Sequence, residues 1–550
     1  MPAFVYSFTL ALTRWLLPLL SLGMVLLWIR GYRAFKPTKK TLARLVTREG
    51  EPTALTVAEA LIGCKKNCDL LVDDPSVENR HALLYQQDGA WLLSPLQGEV
   101  FLNEKPLTKT APVLDGDLVA FGEREFIFEC NGLEWETVSS RSPQGGGWLL
   151  VCLTLFQLLL GGQLCLRFAS SLSPYLPLCF GLLMAGQWGY FLVKKALAGT
   201  KLLWEVPVLY LATLGVAVCA CSAPENLPKQ LLCGAVGVGG SVVLALILKH
   251  PKWCFALRFP VAGICLGVLW FTVLFGTRIF GSVNWLSVGG ISFQPSEFAK
   301  IAFVTVGACT LPVVAKKPIN RWFFMVFAGA VMGALVCMVD FGAIAIFFVT
   351  MIILLCMRLT DWRLVSGICL CAVGAGATVL VLFPHVATRF SAWLHVWELA
   401  ATSGYQQTRT LIAMASGGLL GVGGGNGTLL SVSAADTDLV FGVLCEEYGQ
   451  IVGLCAALCF VALVLVARRL AKTAKTAFGA MGVCAVAGMM LFQTALNLFG
   501  STDILPLTGV TMMFVSRGGT SLTAAFLLTA FFAAAEETPS PLETERRRYY

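Results

Sequence analysis

The residues best placed to do chemistry are carboxylates and cations set at the ends of long apolar runs. Phe293-Gln294-Pro295-Ser296-Glu297 is followed by Lys300, so a helix starting near Pro295 puts Glu297 and Lys300 on one face of its first turns, with Ser296 as a local cap. The two side chains are either a structural ion pair or an acid and a base facing a ligand. Asp436-Thr437-Asp438 and Glu446-Glu447-Tyr448-Gly449 send further carboxylates towards an apolar run. Ionisable groups at such depth are costly and default to functional roles, with Lys300, Arg409 or Arg517 as expected partners. A carboxylate within about 3 Å of a hydroxyl can remove its proton, and cations such as Lys300, Arg389, Arg409 and Arg517 can stabilise an anionic leaving group. Hard oxygen ligands suit Mg2+ or Mn2+, with Asp438 and Glu297 as candidate ligands. No organic cofactor is expected.

These residues need a membrane scaffold to hold them. Of the 550 residues, 57% are hydrophobic and 13% charged, against about 25% charged in soluble domains. With a mean hydropathy of +0.76, the composition excludes a water-soluble enzyme. The net charge of +8 falls in short loops and sets topology, so no nucleic acid is expected. The 20 Cys mostly sit inside apolar runs and read as small packing residues. Runs near twenty residues indicate an α-helical polytopic membrane protein of about 13 transmembrane helices. Residues 1–40 form an N-terminal transmembrane anchor, retained because no basic stretch precedes its apolar run. Arg30, Arg33, Lys36, Lys39 and Lys40 follow that run, which puts the N-terminus outside. Residues 41–138 alternate in short strands and form a small cytoplasmic all-β sandwich. A linker at 139–147, two accessory helices within 148–200, a transmembrane core at 201–536 and a cytoplasmic tail at 537–550 complete the chain. Two polar loops, 277–298 and 385–437, face outward.

Within that core, Phe293–Glu297, Ser416–Leu419, Thr437–Phe441 with Glu446–Gly449, and Asn497–Pro506 with Thr508-Gly509, Phe514, Ser516 and Gly518-Gly519 resemble the SEDS family. That family comprises the FtsW, RodA and SpoVE proteins of bacterial cell-wall synthesis. The resemblance covers roughly residues 200–536, about ten helices by the same length criterion. It implies a peptidoglycan glycosyltransferase of the bacterial cell membrane, polymerising lipid II beside a class B penicillin-binding protein that crosslinks the product. Asp438 matches the family's essential aspartate, and its general-base role on a sugar 4-hydroxyl follows, while undecaprenyl diphosphate leaves. Glu297, Lys300 and Trp285 match further motif positions, and Arg389, Gln406, Arg409, Ser516 and Arg517 join them as substrate or diphosphate contacts. The family usually has Arg-Trp at Asn284-Trp285, Pro-Phe at Met513-Phe514 and Ser-Tyr-Gly-Gly at Ser516–Gly519. Asp340 matches a Pro-Asp-Leu-Gly turn and is read as a helix-turn residue; Gly421–Gly427 is read as a flexible loop near the substrate, its amides available to diphosphate. A lipid flippase and a non-catalytic scaffold recruiting a transpeptidase are the alternatives.

The soluble insert carries Ile62-Gly63, Asp74–Val77, Arg80-His81-Ala82, Asn103, Leu114–Asp117 and Phe121-Gly122, and so resembles a forkhead-associated (FHA) domain, a reader of phosphothreonine. Cys64 and Glu78-Asn79 replace the family's phosphate-contacting residues. Docking of a cytoplasmic protein is therefore preferred to phosphopeptide reading, with Lys65, Arg80 and Asn103 on the binding surface and His81 structural. Division, elongation and sporulation are equally compatible roles.

Overall fold

The computed structural model describes residues 2–34, 42–55, 59–64, 68–87, 90–130, 146–171, 173–197, 202–279, 282–288, 291–313, 319–358, 362–474 and 476–536. The chain divides into two units: one of residues 35–141 with 469–480, and one of the remainder.

The smaller unit is a two-sheet sandwich. One sheet orders its strands as Pro52–Leu55, Ala43–Thr47, Arg124–Glu129, Leu118–Phe121, Val100–Leu102 and Lys105–Pro106; the other as Leu70–Leu71, Glu59–Gly63, Ala82–Gln87, Ala90–Pro95 and Ala111–Val113. Alternate residues point inward, so Leu45, Ile62, Leu84, Leu93, Phe121 and Phe128 fill one core between the sheets. His81 is buried in that core's rim. Its Nδ1 accepts the Glu78 N–H at 3.1 Å, which leaves Nε2–H to donate to the Glu99 carbonyl at 2.8 Å. The structural role expected of His81 is the one it has.

The larger unit is helical. In chain order its helices are α1 (Pro2–Ala34), α2 (Gly146–Arg167), α3 (Tyr175–Leu197), α4 (Glu205–Ser222), α5 (Leu227–Leu248), α6 (Pro251–Phe275), α7 (Pro295–Thr310), α8 (Ile319–Cys337), α9 (Phe341–Arg358), α10 (Trp362–Leu382), α11 (Pro384–Ala392), α12 (Tyr405–Gly417), α13 (Val440–Tyr448), α14 (Gln450–Thr473), α15 (Ala477–Ser501), α16 (Gly519–Leu528) and α17 (Ala530–Ala535). Among the described residues, eleven helices are long and apolar enough to cross a membrane. Two of the expected thirteen spans, 299–315 and 513–536, fall on shorter pieces: α7 of 16 residues, and α16 followed by α17. Proline opens α6, α7 and α11, where the missing N–H would have had no helical partner. Ser296 does not cap α7; its Oγ is buried with no hydrogen-bond partner, and Gln294 occupies the cap position.

Helix α4 runs through the interior, buried along almost its whole length, whereas α10 leaves nearly every side chain exposed for lipid. Polar bonds join α1 to this interior: Trp28 Nε1 donates to the Leu203 carbonyl at 2.7 Å and Tyr210 Oη to Ser21 Oγ at 2.9 Å. The two polar loops are not structureless. Residues 277–293 make a three-stranded antiparallel sheet of Thr277–Ile279, Ser282–Val288 and Ile291–Phe293, and 385–437 holds α11, α12 and a 3-10 turn at Leu429–Ser431. A segment that long satisfies its backbone groups by folding locally.

A Cβ added at Gly98 would overlap the His81 ring. Gly98→Ala is expected to destabilise the sandwich by about 1–3 kcal/mol through overpacking. Faster proteolysis of the sandwich in the intact protein, with the helical unit unaffected, would be the readout; unchanged cleavage would refute it.

Candidate active site

Asp438 ends a tight turn, residues 433–438, that leads into α13 and lies outside the eleven membrane-length helices. Neighbouring elements hold this turn by its backbone. Asn497 Nδ2, from α15, donates to the Asp438 carbonyl at 2.9 Å and to the Val510 carbonyl at 2.7 Å. Ser516 Oγ donates to the Thr437 carbonyl at 2.6 Å and accepts the Met512 N–H at 2.8 Å. Arg517 adds its own N–H to the Asp436 carbonyl at 2.9 Å and an ion pair to the Asp436 carboxylate. The carboxylate of Asp438 is thereby left to face Gly509, where a Cβ would lie 3.2 Å from Oδ2 and 3.7 Å from Nη1 of Arg389. Gly509 has φ +68, a conformation that other residues adopt at a cost. Arg389, on α11, donates Nη1–H to the Leu507 carbonyl at 3.2 Å. Burial pushes the Asp438 carboxyl above its usual range, while the Thr437 hydroxyl and the Arg389 guanidinium pull it back and Asp436 and Asp340 raise it further.

A second carboxylate stands next to this turn. Asp340 accepts the Ala343 N–H at 3.0 Å and so caps α9, the helix-turn role expected of it. Its other oxygen faces Asn284 Nδ2 at 3.3 Å and Gln294 Nε2 at 3.4 Å. Gly342 packs on Val510, which brings the Asp340 turn against the extended segment carrying Gly509. Non-glycine residues with left-handed backbones flank each of these segments: Val339 at φ 60, Ala434 at φ 59 and Phe514 at φ 66. Such conformations cost about 1–3 kcal/mol apiece and concentrate where a site is held in one geometry. Gly215 on α4 lets the Phe514 carbonyl approach the helix closely.

Residues 221–539, more than half the chain, match the sequence model of the FtsW/RodA/SpoVE family, described as cell cycle proteins. The chain belongs to that family. Residues 60–122 match the FHA domain model. The family chain is similar to stage V sporulation protein E of Bacillus subtilis (strain 168), with 30% identity over 306 residues, 54% of this chain and 82% of that protein. It is also similar to a probable peptidoglycan glycosyltransferase FtsW of Marinobacter nauticus, at 31% over 54% of this chain and 78% of that one. A solved chain from a peptidoglycan synthase complex, described as coordinating polymerization and crosslinking, superposes with a TM-score of 0.50 at 23% identity, over 60% of this chain and 96% of that chain. At that identity the likeness is one of fold.

The geometry of this FtsW/RodA/SpoVE chain sorts the expected site residues. Asp438 and Arg389 come together. Glu297 and Lys300 do form the ion pair, at 2.7 Å, but Lys300 is 1% exposed and its other polar contact is Gln493 Oε1 at 2.8 Å. Gln493 passes the link to the Thr511 carbonyl at 2.9 Å. Lys300 is therefore a buried strut between α7, α15 and the 508–512 segment, not a cation open to diphosphate. Ser516 and Arg517 are likewise corrected from ligand contacts to supports of the Asp438 turn, since their polar groups are occupied by Thr437, Met512 and Asp436. Arg409 is exposed and lies over the Tyr405 ring at 5.3 Å, paired with none of the expected carboxylates. Gln406 Nε2 bridges to the Ser433 carbonyl at 3.0 Å. Trp285 sits half-buried in the three-stranded sheet, opposite Thr277. Glu297 is committed to Lys300, and among the described residues no three His, Cys, Asp or Glu side chains converge on a metal position. The side chains do not assemble the expected Asp438 and Glu297 metal site.

The Gly421–Gly427 loop is corrected too. Val422 and Gly423 N–H groups cap the C-terminal carbonyls of α13 at Glu446 and Glu447, at 2.9 and 2.8 Å. Asn426 Nδ2 donates to Tyr6 Oη of α1 at 2.7 Å, and Gly423 and Gly424 press on Gln163 and Leu164 of α2. Glu446 caps the 3-10 turn by accepting the Thr428 and Leu429 N–H groups at 2.8 and 2.9 Å, a structural hydrogen-bonding role. The loop is packing, not a diphosphate cradle. In the FHA domain, Asn103 is engaged with Asp117 Oδ1 and the Leu118 N–H, both at 2.9 Å, so it locks a turn instead of offering a binding surface. Arg80 is half-buried, and Lys65 lies outside the described residues.

Because Arg389 lowers the Asp438 pKa, its removal raises it. A general base must be ionised, so its activity is lost as pH falls through its pKa. Arg389→Gln is expected to move the acid limb of the kcat/KM profile to higher pH; an unmoved limb would separate Arg389 from Asp438.

Proposed function

We propose that the chain is a peptidoglycan glycosyltransferase that polymerises lipid II, with Asp438 as the general base. The observation that carries this reading is the Asp438 carboxylate, in a turn held by its backbone at Asp436–Asp438, which faces Gly509 close to Arg389. Asp438 accepts the proton of the attacking 4-hydroxyl as its oxygen bonds to the anomeric carbon of the donor. The bond from that carbon to the diphosphate oxygen breaks, and undecaprenyl diphosphate leaves with the electron pair. Arg389, beside Asp438, is the cation placed to stabilise that charge. The family relatives named peptidoglycan glycosyltransferase support the reaction class.

The departures that favoured a scaffold have other employment: Asn284 bonds Asp340, and Arg517 neutralises Asp436. Orientation follows the basic flanks, with the N-terminus outside and the FHA domain and C-terminus in the cytoplasm. The polymerase works beside a class B penicillin-binding protein that crosslinks its product, and a cytoplasmic protein docks on the FHA domain. Any Mg2+ or Mn2+ would arrive with the diphosphate and take Asp438 as its protein ligand, as Mg2+ commonly binds through one carboxylate and substrate phosphates.

Purified protein with labelled lipid II, with and without the transpeptidase, tests this. Wild type is expected to give polymer, and Asp438→Asn at least about 100-fold less; equal polymer from both would remove Asp438 as base, and EDTA reports the ion. For the FHA domain, a phosphothreonine-peptide titration is expected to show no saturable binding. Saturation that Arg80→Ala abolishes would replace docking by phosphopeptide reading.

A further inference from the structure

Beyond the end of the strand Glu59–Gly63 in the FHA domain, two thiols meet on a single residue. Cys64 Sγ donates to Asn79 Oδ1 at 3.7 Å and Cys68 Sγ to the Asn79 carbonyl at 3.3 Å, and both cysteines are partly exposed. Strand register fixes where they stand. Glu59–Gly63 pairs in parallel with Leu70–Leu71, Ile62 opposite Leu70 and Gly63 opposite Leu71, so the chain leaves the strand at Cys64 and is back beside it by Asp69. Both ends of that return are pinned. The Cys64 N–H donates to the Glu78 carbonyl at 3.2 Å, while Asp69 donates its N–H to the Leu61 carbonyl at 2.9 Å and accepts the Leu61 N–H on its carboxylate at 3.0 Å. Gly63 makes room for the second sulfur: a Cβ there would lie 3.0 Å from Cys68 Sγ and 2.5 Å from the Asn79 carbonyl oxygen. The Cys64 side chain therefore starts one Cα step, about 3.8 Å, from the space beside which the Cys68 sulfur lies, and a disulfide asks for Cα atoms roughly 4.4–6.8 Å apart. Another cysteine of the domain, Cys130, differs: burial and the Asp115 carboxylate push its thiol up, away from the reactive thiolate.

We propose that Cys64 and Cys68 form a reversible thiol–disulfide site on the FHA domain, oxidised by peroxide. A partly exposed thiol with a second one in reach is the arrangement in which oxidation stops at a disulfide instead of climbing to the irreversible acids. Cys64, whose contact to Asn79 is the longer, attacks first. Its thiolate sulfur bonds to one peroxide oxygen, the O–O bond breaks, and the other oxygen leaves and is protonated to water. The Cys68 thiolate then attacks the resulting sulfenic sulfur; the S–S bond forms, the S–O bond breaks, and a second water leaves. The two sulfurs together lose two electrons, the peroxide gains them, and the two thiol protons end in the two waters. Forming this bond draws both sulfurs off Asn79, so the reduced and oxidised domains present different surfaces at residues 78–80 to a docked protein. No step uses Asp438 or lipid II, so the thiol chemistry and the polymerase reading stand or fall separately.

Trypsin cuts after Arg48, Lys65, Lys66 and Arg80, which puts the two cysteines in separate peptides, 49–65 and 67–80, each with no other cysteine. The intact purified protein is exposed to hydrogen peroxide, alkylated with N-ethylmaleimide, digested and weighed by mass spectrometry without reductant. The two peptides are expected as one linked species that dithiothreitol separates, formed roughly tenfold faster than Cys130 is oxidised. In Cys68→Ser, dimedone is expected to trap on Cys64 a sulfenic acid that wild type resolves. Amide hydrogen exchange on the intact protein reads the surface: oxidation is expected to change residues 78–80 and to leave strands 43–47 and 124–129 unmoved. Peptides that stay separate and fully alkylated, linkage of either one to Cys130, or a wild-type Cys64 that passes on to sulfinic acid overturns the proposal, and unchanged exchange at 78–80 overturns its bearing on docking.

Discussion

The site depends on hydrogen bonds that hold a backbone, not a side chain. Three consecutive residues, Asp436, Thr437 and Asp438, have their carbonyls taken by Arg517 N–H, Ser516 Oγ and Asn497 Nδ2. Because the donors come from α15 and the 510–517 segment, the turn is fixed against the helical interior before α13 begins. Each such bond contributes only about 1 kcal/mol net, but an unmade partner in a dry interior costs more. That asymmetry keeps the turn in one register, including the left-handed Ala434 and Phe514 that its geometry requires.

The motif glycines serve the same end from outside. Gly417 allows the end of α12 to touch the Cys445 carbonyl, Gly421 meets the Glu447 carbonyl, and Gly449, at φ 92, meets the Leu419 carbonyl. Two short motifs about thirty residues apart thus interlock backbone to backbone. Together they fix the far end of α13 while the Asp438 turn fixes its beginning. Helices α1 and α2 reach this clasp through Tyr6 and Gln163. The FHA domain is inserted in the chain between those two helices.

Charge is divided by burial. Lys300 with Glu297, Lys194 with Glu205 and Glu536, and Arg517 with Asp436 each neutralise an ion in the interior or at its edge. Breaking such a pair leaves an uncompensated charge, which makes it a support more than a reagent. Asp438 differs in having its cation alongside and its backbone restrained. Arg389 is the exposed one of the two, and it acts on Asp438 through its charge without a direct ion pair.

Much was legible in the residues. Composition and apolar run length required a membrane bundle, since lipid cannot satisfy charged groups; alternation of apolar residues required a sandwich between residues 41 and 138; the motif around Asp438 marked the carboxylate. Local physics is sufficient for such features, because burial periodicity and proline position act within one element. Spacing could not say that Lys300 is sealed against Gln493, that Ser516 and Arg517 brace a turn some eighty residues earlier, or that Gly421–Gly427 caps α13. Those outcomes depend on which carbonyl or carboxylate another helix brings within about 3 Å. A cation on a helix face reads alike whether that face meets water, lipid or a glutamine, and only packing chose among them.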